Sequence, residues 1–258
     1  MQRGIGTLLI LFSLTCSRVA TAQQTDREND SAGSIWLAYV GEHPISQQWN
    51  LHLEGQFFSY GTQTPELFFL RPGFRREFYH GISGLITYAY FLKYFAITNT
   101  SRALPEHRIS EDLQWRHPLV GEGIKRVTLT HRLRLEQRFE GQENNSDHND
   151  LWNYAERFRY RLTANVPLPG NTDGLRPDYV SIYNEVFINF GPHSAKHRLD
   201  QNILSGVVGW KLTSHLQFEI GYLLEYFPSS VASVGNYNHV VQINLNSTFP
   251  FSRKQRRE

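Results

Sequence analysis

The sequence predicts an all-β protein, a single antiparallel transmembrane β-barrel of 10–12 strands with a polar, charged lumen. Three observations carry this expectation. Apolar and polar residues alternate with period two over most of the chain, as in strands whose two faces meet unlike surroundings. Many of the alternating tracts run 12 to 16 residues, whereas soluble strands average about 5–6 and a tilted membrane-crossing strand needs about 9–11. Aromatic residues make up 14% of the 258. Trp49, Trp152, Tyr154, Tyr222 and Tyr226 sit toward tract ends, where a girdle at a membrane interface would place them.

Taken in order, residues 1–22 read as a secretory signal. Arg3 supplies the positive start, Ile5 to Leu14 the short apolar core, and Ala20-Thr21-Ala22 the small-residue cleavage site. Cleavage after Ala22 starts the mature chain at Gln23. It removes Cys16, the lone cysteine, so no disulfide or thiolate metal site is expected. It also removes Arg3 and Arg18, leaving 24 basic residues against 24 acidic ones. A neutral chain lacks the concentrated basic surface that nucleic acid requires. No run of about 18 apolar residues suggests a transmembrane helix.

Residues 23–33 (QQTDRENDSAG) form a flexible polar lead. Residues 34–251 are the barrel, with eleven tracts near 34–41, 47–60, 66–78, 83–95, 105–116, 125–140, 151–166, 178–190, 198–212, 215–227 and 238–251. In the second, Trp49, Leu51, Leu53 and Phe57 oppose Asn50, His52, Glu54 and Gln56. In the sixth, Val127, Leu129, Leu133, Leu135 and Phe139 oppose Thr128, Thr130, Arg132, Arg134, Glu136 and Arg138. In the seventh, Trp152, Tyr154, Phe158, Tyr160 and Leu162 oppose Asn153, Arg157, Arg159, Arg161 and Thr163. In the tenth, Leu216, Phe218, Ile220, Tyr222, Leu224 and Tyr226 oppose Gln217, Glu219 and Glu225. Periodicity alone does not say which face points outward. A soluble lipocalin-like carrier, with its apolar face inside, is the alternative to the membrane barrel.

Tight links near 79–83 and 213–214 contrast with long polar ones at 96–105 and 141–150, the expected alternation of periplasmic turns and outer loops. The long stretch 166–178 breaks it. Single-chain bacterial barrels have even strand numbers. Ten strands are therefore expected if 34–41 does not span, or twelve if the lead adds one. The final tract carries Val241, Ile243, Leu245, Phe249 and Phe251 on one face. Its end is similar to the assembly signal of bacterial outer-membrane barrels: Asn244 is the polar residue, Asn246 stands where Gly is usual, and Phe249 and Phe251 are the aromatics. Residues 252–258 (SRKQRRE) read as a basic periplasmic tail, whose Arg253, Lys254, Arg256 and Arg257 suit anionic lipid.

Several of these segments resemble the DUF2490 family. They are Trp36-Leu37-Ala38-Tyr39, Trp49-Asn50-Leu51, the block from His131 to Phe139 (HRLRLEQRF) and Tyr183-Asn184-Glu185-Val186-Phe187. The resemblance covers nearly all of the mature chain and rests on the order of its strand patterns. It implies an outer-membrane β-barrel of a Gram-negative bacterium with no assigned function, and it carries over no catalytic residues.

The polar cluster with the most chemistry is basic. Arg132, Arg134 and Arg138 share one face, and Arg157, Arg159 and Arg161 share the corresponding face of the next tract. In a hairpin these like charges would oppose one another, which destabilises a sheet unless counter-charges intervene. Glu136 belongs to the set, and Glu54, Glu77, Asp112, Glu185, Glu219 and Glu225 are candidates to supply more. Two readings follow: a lumen plugged by Arg–carboxylate pairs, or an Arg-lined constriction that draws in a small anionic solute.

An outer-membrane lipase would need a Ser–His pair. His131 and Ser247 fall on apolar faces, but on tracts that a simple meander does not make neighbours. A protease or metal reading rests on Asp147-His148-Asn149-Asp150 alone, with no second cluster to converge on it. The expectation is therefore a non-enzymatic narrow pore or structural barrel, with no catalytic residues, cofactor or metal. Its expected partners are outer-membrane lipids and the barrel-assembly machinery. An outer-membrane hydrolase is the runner-up.

Overall fold

The computed structural model describes residues 34–60, 64–97, 100–119, 127–141, 152–169, 174–191, 198–228 and 236–251. Over these residues the chain is all β, with β1 (Ser34–Pro44), β2 (Trp49–Tyr60), β3 (Thr64–Tyr79), β4 (Ile82–Ile97), β5 (Thr100–Pro118), β6 (Thr128–Gly141), β7 (Trp152–Pro167), β8 (Tyr179–Phe190), β9 (Leu199–Lys211), β10 (Leu216–Phe227) and β11 (Asn236–Ser247). Consecutive strands pair antiparallel around the ring. The barrel closes where β1 meets β11 in parallel, from Ser34↔Val240 to Gly41↔Ser247.

That seam corrects the expectation of an even count and of a wholly antiparallel sheet: the described residues form eleven strands. The tract at 34–41 is a full strand, bonded to β2 on one edge and β11 on the other. In an up-and-down meander an odd number sends the last strand the same way as the first. The two edges can then satisfy each other only with parallel hydrogen bonds, and an open edge would leave a row of backbone groups unpaired. The proposed twelfth strand, the signal at 1–22, the lead and the tail at 252–258 lie outside the described residues.

Two further expectations change. The long loop at 96–105 is mostly ladder, because Ile97↔Thr100 and Ala96↔Ser101 continue the β4–β5 pairing almost to the tip. Its Thr and Ser composition reads as loop, yet these residues tolerate extended backbone well once a partner strand is beside them. At the other end, β11 stops at Ser247, so Phe249 and Phe251 do not extend its face. Pro250 has no N–H for a ladder. The segment instead runs on beside the end of β1: Phe251 N–H donates to the Pro44 carbonyl at 3.3 Å, and His43 Nδ1–H donates to the Phe249 carbonyl at 2.9 Å.

The tight turn near 79–83 holds as expected. His80 and Gly81 both have positive φ, 49° and 76°, the geometry of a two-residue hairpin turn whose twist matches its strands. A Cβ on Gly81 would sit 2.2 Å from the Arg116 carbonyl oxygen, so glycine is required there for space as well as for φ. The links at 45–48, 80–81 and 212–215 share one rim with Pro118 and Pro167, where β5 and β7 end, and with Thr128 and Tyr179, where β6 and β8 begin. β1 begins at the opposite rim.

Alternation now acquires a direction. Charged and amide side chains of the polar faces, among them Glu54, Arg71, Arg134, Arg159 and Glu219, turn into the barrel, while Leu70, Phe74, Ile86 and Leu113 of the apolar face are half or more exposed outside. Inside, one apolar cluster of Phe58, Phe187, Ile203, Leu223 and Val240 fills part of the wall made by β2 and β8–β11. A smaller one joins Phe69, Ala89 and Phe91.

Candidate functional site: an ion-paired lumen

Strand register builds the site. In the β6–β7 pair, Arg132 stands opposite Arg161, Arg134 opposite Arg159, and Glu136 opposite Arg157. Two of these three cross-strand pairs are therefore Arg on Arg, an arrangement that is unfavourable unless carboxylates enter from the neighbouring strands. They do. Asp112 on β5 is the direct partner of Arg134, and Glu185 on β8 is the direct partner of Arg161.

Glu185 is fully buried and accepts from three guanidinium groups: Arg132 Nη2 at 2.5 Å, Arg159 Nε at 2.8 Å and Arg161 Nη2 at 2.5 Å. Glu136, equally buried, accepts from Arg157 Nη2 at 2.7 Å and Arg159 Nη1 at 2.7 Å. Arg159 thus bridges the two carboxylates. Asp112 accepts from Arg134 through both oxygens, and Asp200 on β9 takes Arg157 Nη1 at 2.7 Å. Charge-assisted bonds of this kind are the strong ones, and bidentate Arg geometry also fixes orientation. Phe187 lies beneath Arg159 and Arg157, with its ring centroid 4.2 Å and 5.0 Å from their guanidinium carbons.

Arg138 leaves the row. On the β7 side it faces Ala155, and on the β5 side it stands opposite Arg108; it turns to Glu106 on β5 at 2.8 Å and to Glu140. Glu106 also gathers Lys93 and Arg108. On the other side, Arg71 holds Glu54 at 2.6 Å, and Arg75 holds Glu42 at 2.9 Å, with His52 bonded to Glu42 at 2.8 Å.

Glu219 and Glu225, both on β10, differ from the other carboxylates. Tyr179 Oη donates to Glu219 at 2.7 Å and Asn244 Nδ2 donates at 3.0 Å. Gln201 Nε2 donates to Glu225 at 3.0 Å, and Asn238 Nδ2 reaches it at 3.4 Å. Among the described residues neither has a Lys or Arg within ion-pair distance. Glu77, expected as a counter-charge, is exposed beside the β3–β4 turn and does not line the interior.

One cavity of about 1020 Å³ runs between these walls. It is lined by Gln56, Phe58 and Lys93 toward one rim and by Glu42, Arg75 and Gln114 toward the other. Arg132, Arg134, Arg138, Arg157, Arg159, Arg161, Glu219 and Glu225 all line it. Glu136 and Glu185 lie behind the arginines they hold.

Sequence reasoning missed Arg71, Lys93, Glu106, Arg108 and the aromatic platforms Phe91 and Phe187. Their parity within tracts 66–78, 83–95, 105–116 and 178–190 carried the signal. Of the assembly-signal candidates, Asn244 and Asn246 face the cavity, whereas Phe249 and Phe251 are partly exposed beyond β11.

The structure does not bring the lipase pair together. His131 on β6 is packed on the outer face against Trp115 and His117, with Nδ1 2.8 Å from Tyr160 Oη. Ser247 is buried at the end of β11, five places away in the ring. Asp147, His148, Asn149 and Asp150 lie outside the described residues. Among those described, no group of three or more His, Cys, Asp or Glu side chains is placed to hold a metal ion.

Fold and site together define a closed β-barrel with a charged, ion-paired interior and an apolar exterior. The chain belongs to the DUF2490 family of proteins of unknown function, whose sequence model matches residues 33–235. No curated protein and no solved structure matches it.

Proposed function

We propose that this protein is an integral outer-membrane β-barrel, exported with a cleaved signal, that forms a narrow non-enzymatic pore for small polar solutes. The observation that carries the reading is the inversion of its faces. Ile86 is 64% exposed, Phe74 56% and Leu70 52%, while Glu136 and Glu185 are 0% exposed inside. Water-soluble monomers rarely show apolar patches beyond a few hundred Å². In a bilayer the same surface meets lipid. On β5, His107 and Trp115 lie eight residues apart on the outer face, each in a cluster of aromatic rings. At about 3.3 Å per residue and a strand tilt near 40°, that separation is ~20 Å, close to the ~25 Å apolar band of such barrels.

The interior supports a restricted pore over an open channel. Averaged over a ~25 Å band, a cavity of about 1020 Å³ leaves room for a single file of small molecules. A soluble lipocalin-like carrier would need an apolar interior, and this lumen is dominated by ion pairs.

Heat-modifiable gel migration of protein from a washed outer-membrane fraction is the first test, followed by conductance in planar bilayers. A mobility shift on boiling and small steady conductance steps are expected. Protein that stays soluble without detergent and shows no shift would overturn the membrane assignment, and a shifting protein without conductance would overturn the pore.

A further inference from the structure

We propose that the lumen carries a transverse electric dipole and admits small zwitterions, molecules with one anionic and one ammonium group, in preference to uncharged solutes of equal size. The proposal rests on the pore reading and names the solute class of that pore.

Every Lys and Arg that lines the cavity lies on five adjacent strands, β3–β7. Ten cations there engage eight carboxylates within ion-pair distance among the described residues. The arc is left with two surplus positive charges. The two lining carboxylates without a cation are Glu219 and Glu225, both on β10. In the ring, β10 is five places from β5 one way and six the other, so it stands opposite the middle of the cationic arc. Positive surplus and negative surplus thus face each other across the cavity.

Both β10 carboxylates are held by hydrogen bonds. Tyr179, Asn244, Gln201 and Asn238 give them hydrogen bonds but no counter-charge. On the facing arc, Lys93 and Arg161 are 28% and 27% exposed and keep part of their heads in the cavity. A low-dielectric wall focuses such fields on whatever occupies the space between. An uncharged polyol gains little from a transverse field. A free anion gains from the arc but meets Glu219 and Glu225, and a free cation meets the reverse. A zwitterion can turn its carboxylate to the arc and its ammonium to β10, with no net charge to desolvate. The six-residue spacing of Glu219 and Glu225 along one strand sets two such positions in series, about 20 Å apart along the chain.

The test is swelling of liposomes reconstituted with the full-length barrel, using γ-aminobutyrate as the zwitterion and erythritol as the uncharged solute. Wild-type protein is expected to pass γ-aminobutyrate several-fold faster. Glu219→Gln and Glu225→Gln, singly and together, keep a carbonyl for the same donors and are checked for folding by their heat shift. They should erase the preference, while Glu111→Gln on the outer face should leave it intact. Equal rates in wild type, or a preference unchanged in any folded Gln variant, would overturn the dipole proposal. Swelling with neither solute, from protein that shows its heat shift, would overturn the pore reading instead.

Discussion

Arg134 and Asp112 face each other directly across the β5–β6 pair and share two parallel hydrogen bonds, Nε to Oδ1 at 2.6 Å and Nη2 to Oδ2 at 2.7 Å. Both are almost wholly buried. Removing one member of a buried pair strands the other charge, at a cost of about 3–5 kcal/mol. Asp112→Asn and Arg134→Gln should each destabilise the barrel by that order, and the double variant by clearly less than their sum. Urea unfolding in lipid vesicles, arranged as a double-mutant cycle, measures the coupling.

Glu185 serves three arginines at once. Glu185→Gln therefore keeps the shape but releases one negative charge among Arg132, Arg159 and Arg161. Conductance should become more anion-selective, read as a shifted reversal potential across a KCl gradient. An unchanged reversal potential would mean that permeating ions do not pass this cluster.

His43 ties the segment after β11 to the end of β1. Its Nδ1–H donates to the Phe249 carbonyl, which leaves Nε2 to accept from Tyr39 Oη at 3.0 Å, and its ring packs 4.7 Å from that of Phe251. His43→Ala should free the segment after β11 and weaken the parallel seam by about 1–2 kcal/mol. Faster proteolytic trimming of the C-terminal segment, together with a lower temperature for the mobility shift, would report both effects.

Glu111 places a carboxylate on the outer face. It is exposed midway between His107 and Trp115, directly opposite Ile86 and Leu135 on the flanking strands. A lipid-facing carboxylate at that depth costs stability, though less than Arg or Lys would. Glu111→Leu should raise stability in vesicles by about 1–2 kcal/mol. A protein whose outer face met water would show no such gain and would lose solubility.

Much of this architecture is legible residue by residue. Period-two alternation is local, since a residue's parity within its own strand decides its face, so the arginines of tracts 125–140 and 151–166 could be placed on one face without any structure. The sequence by itself therefore determined the strands, their two faces and the need for counter-charges. Tertiary structure decided which carboxylates answer that need, because Asp112 and Glu185 reach Arg134 and Arg161 through registers set between strands and invisible within any one. It also decided the parallel β1–β11 seam and the position of Glu219 and Glu225 opposite β5. Both are consequences of closing a ring, and closure is a property of all eleven strands together.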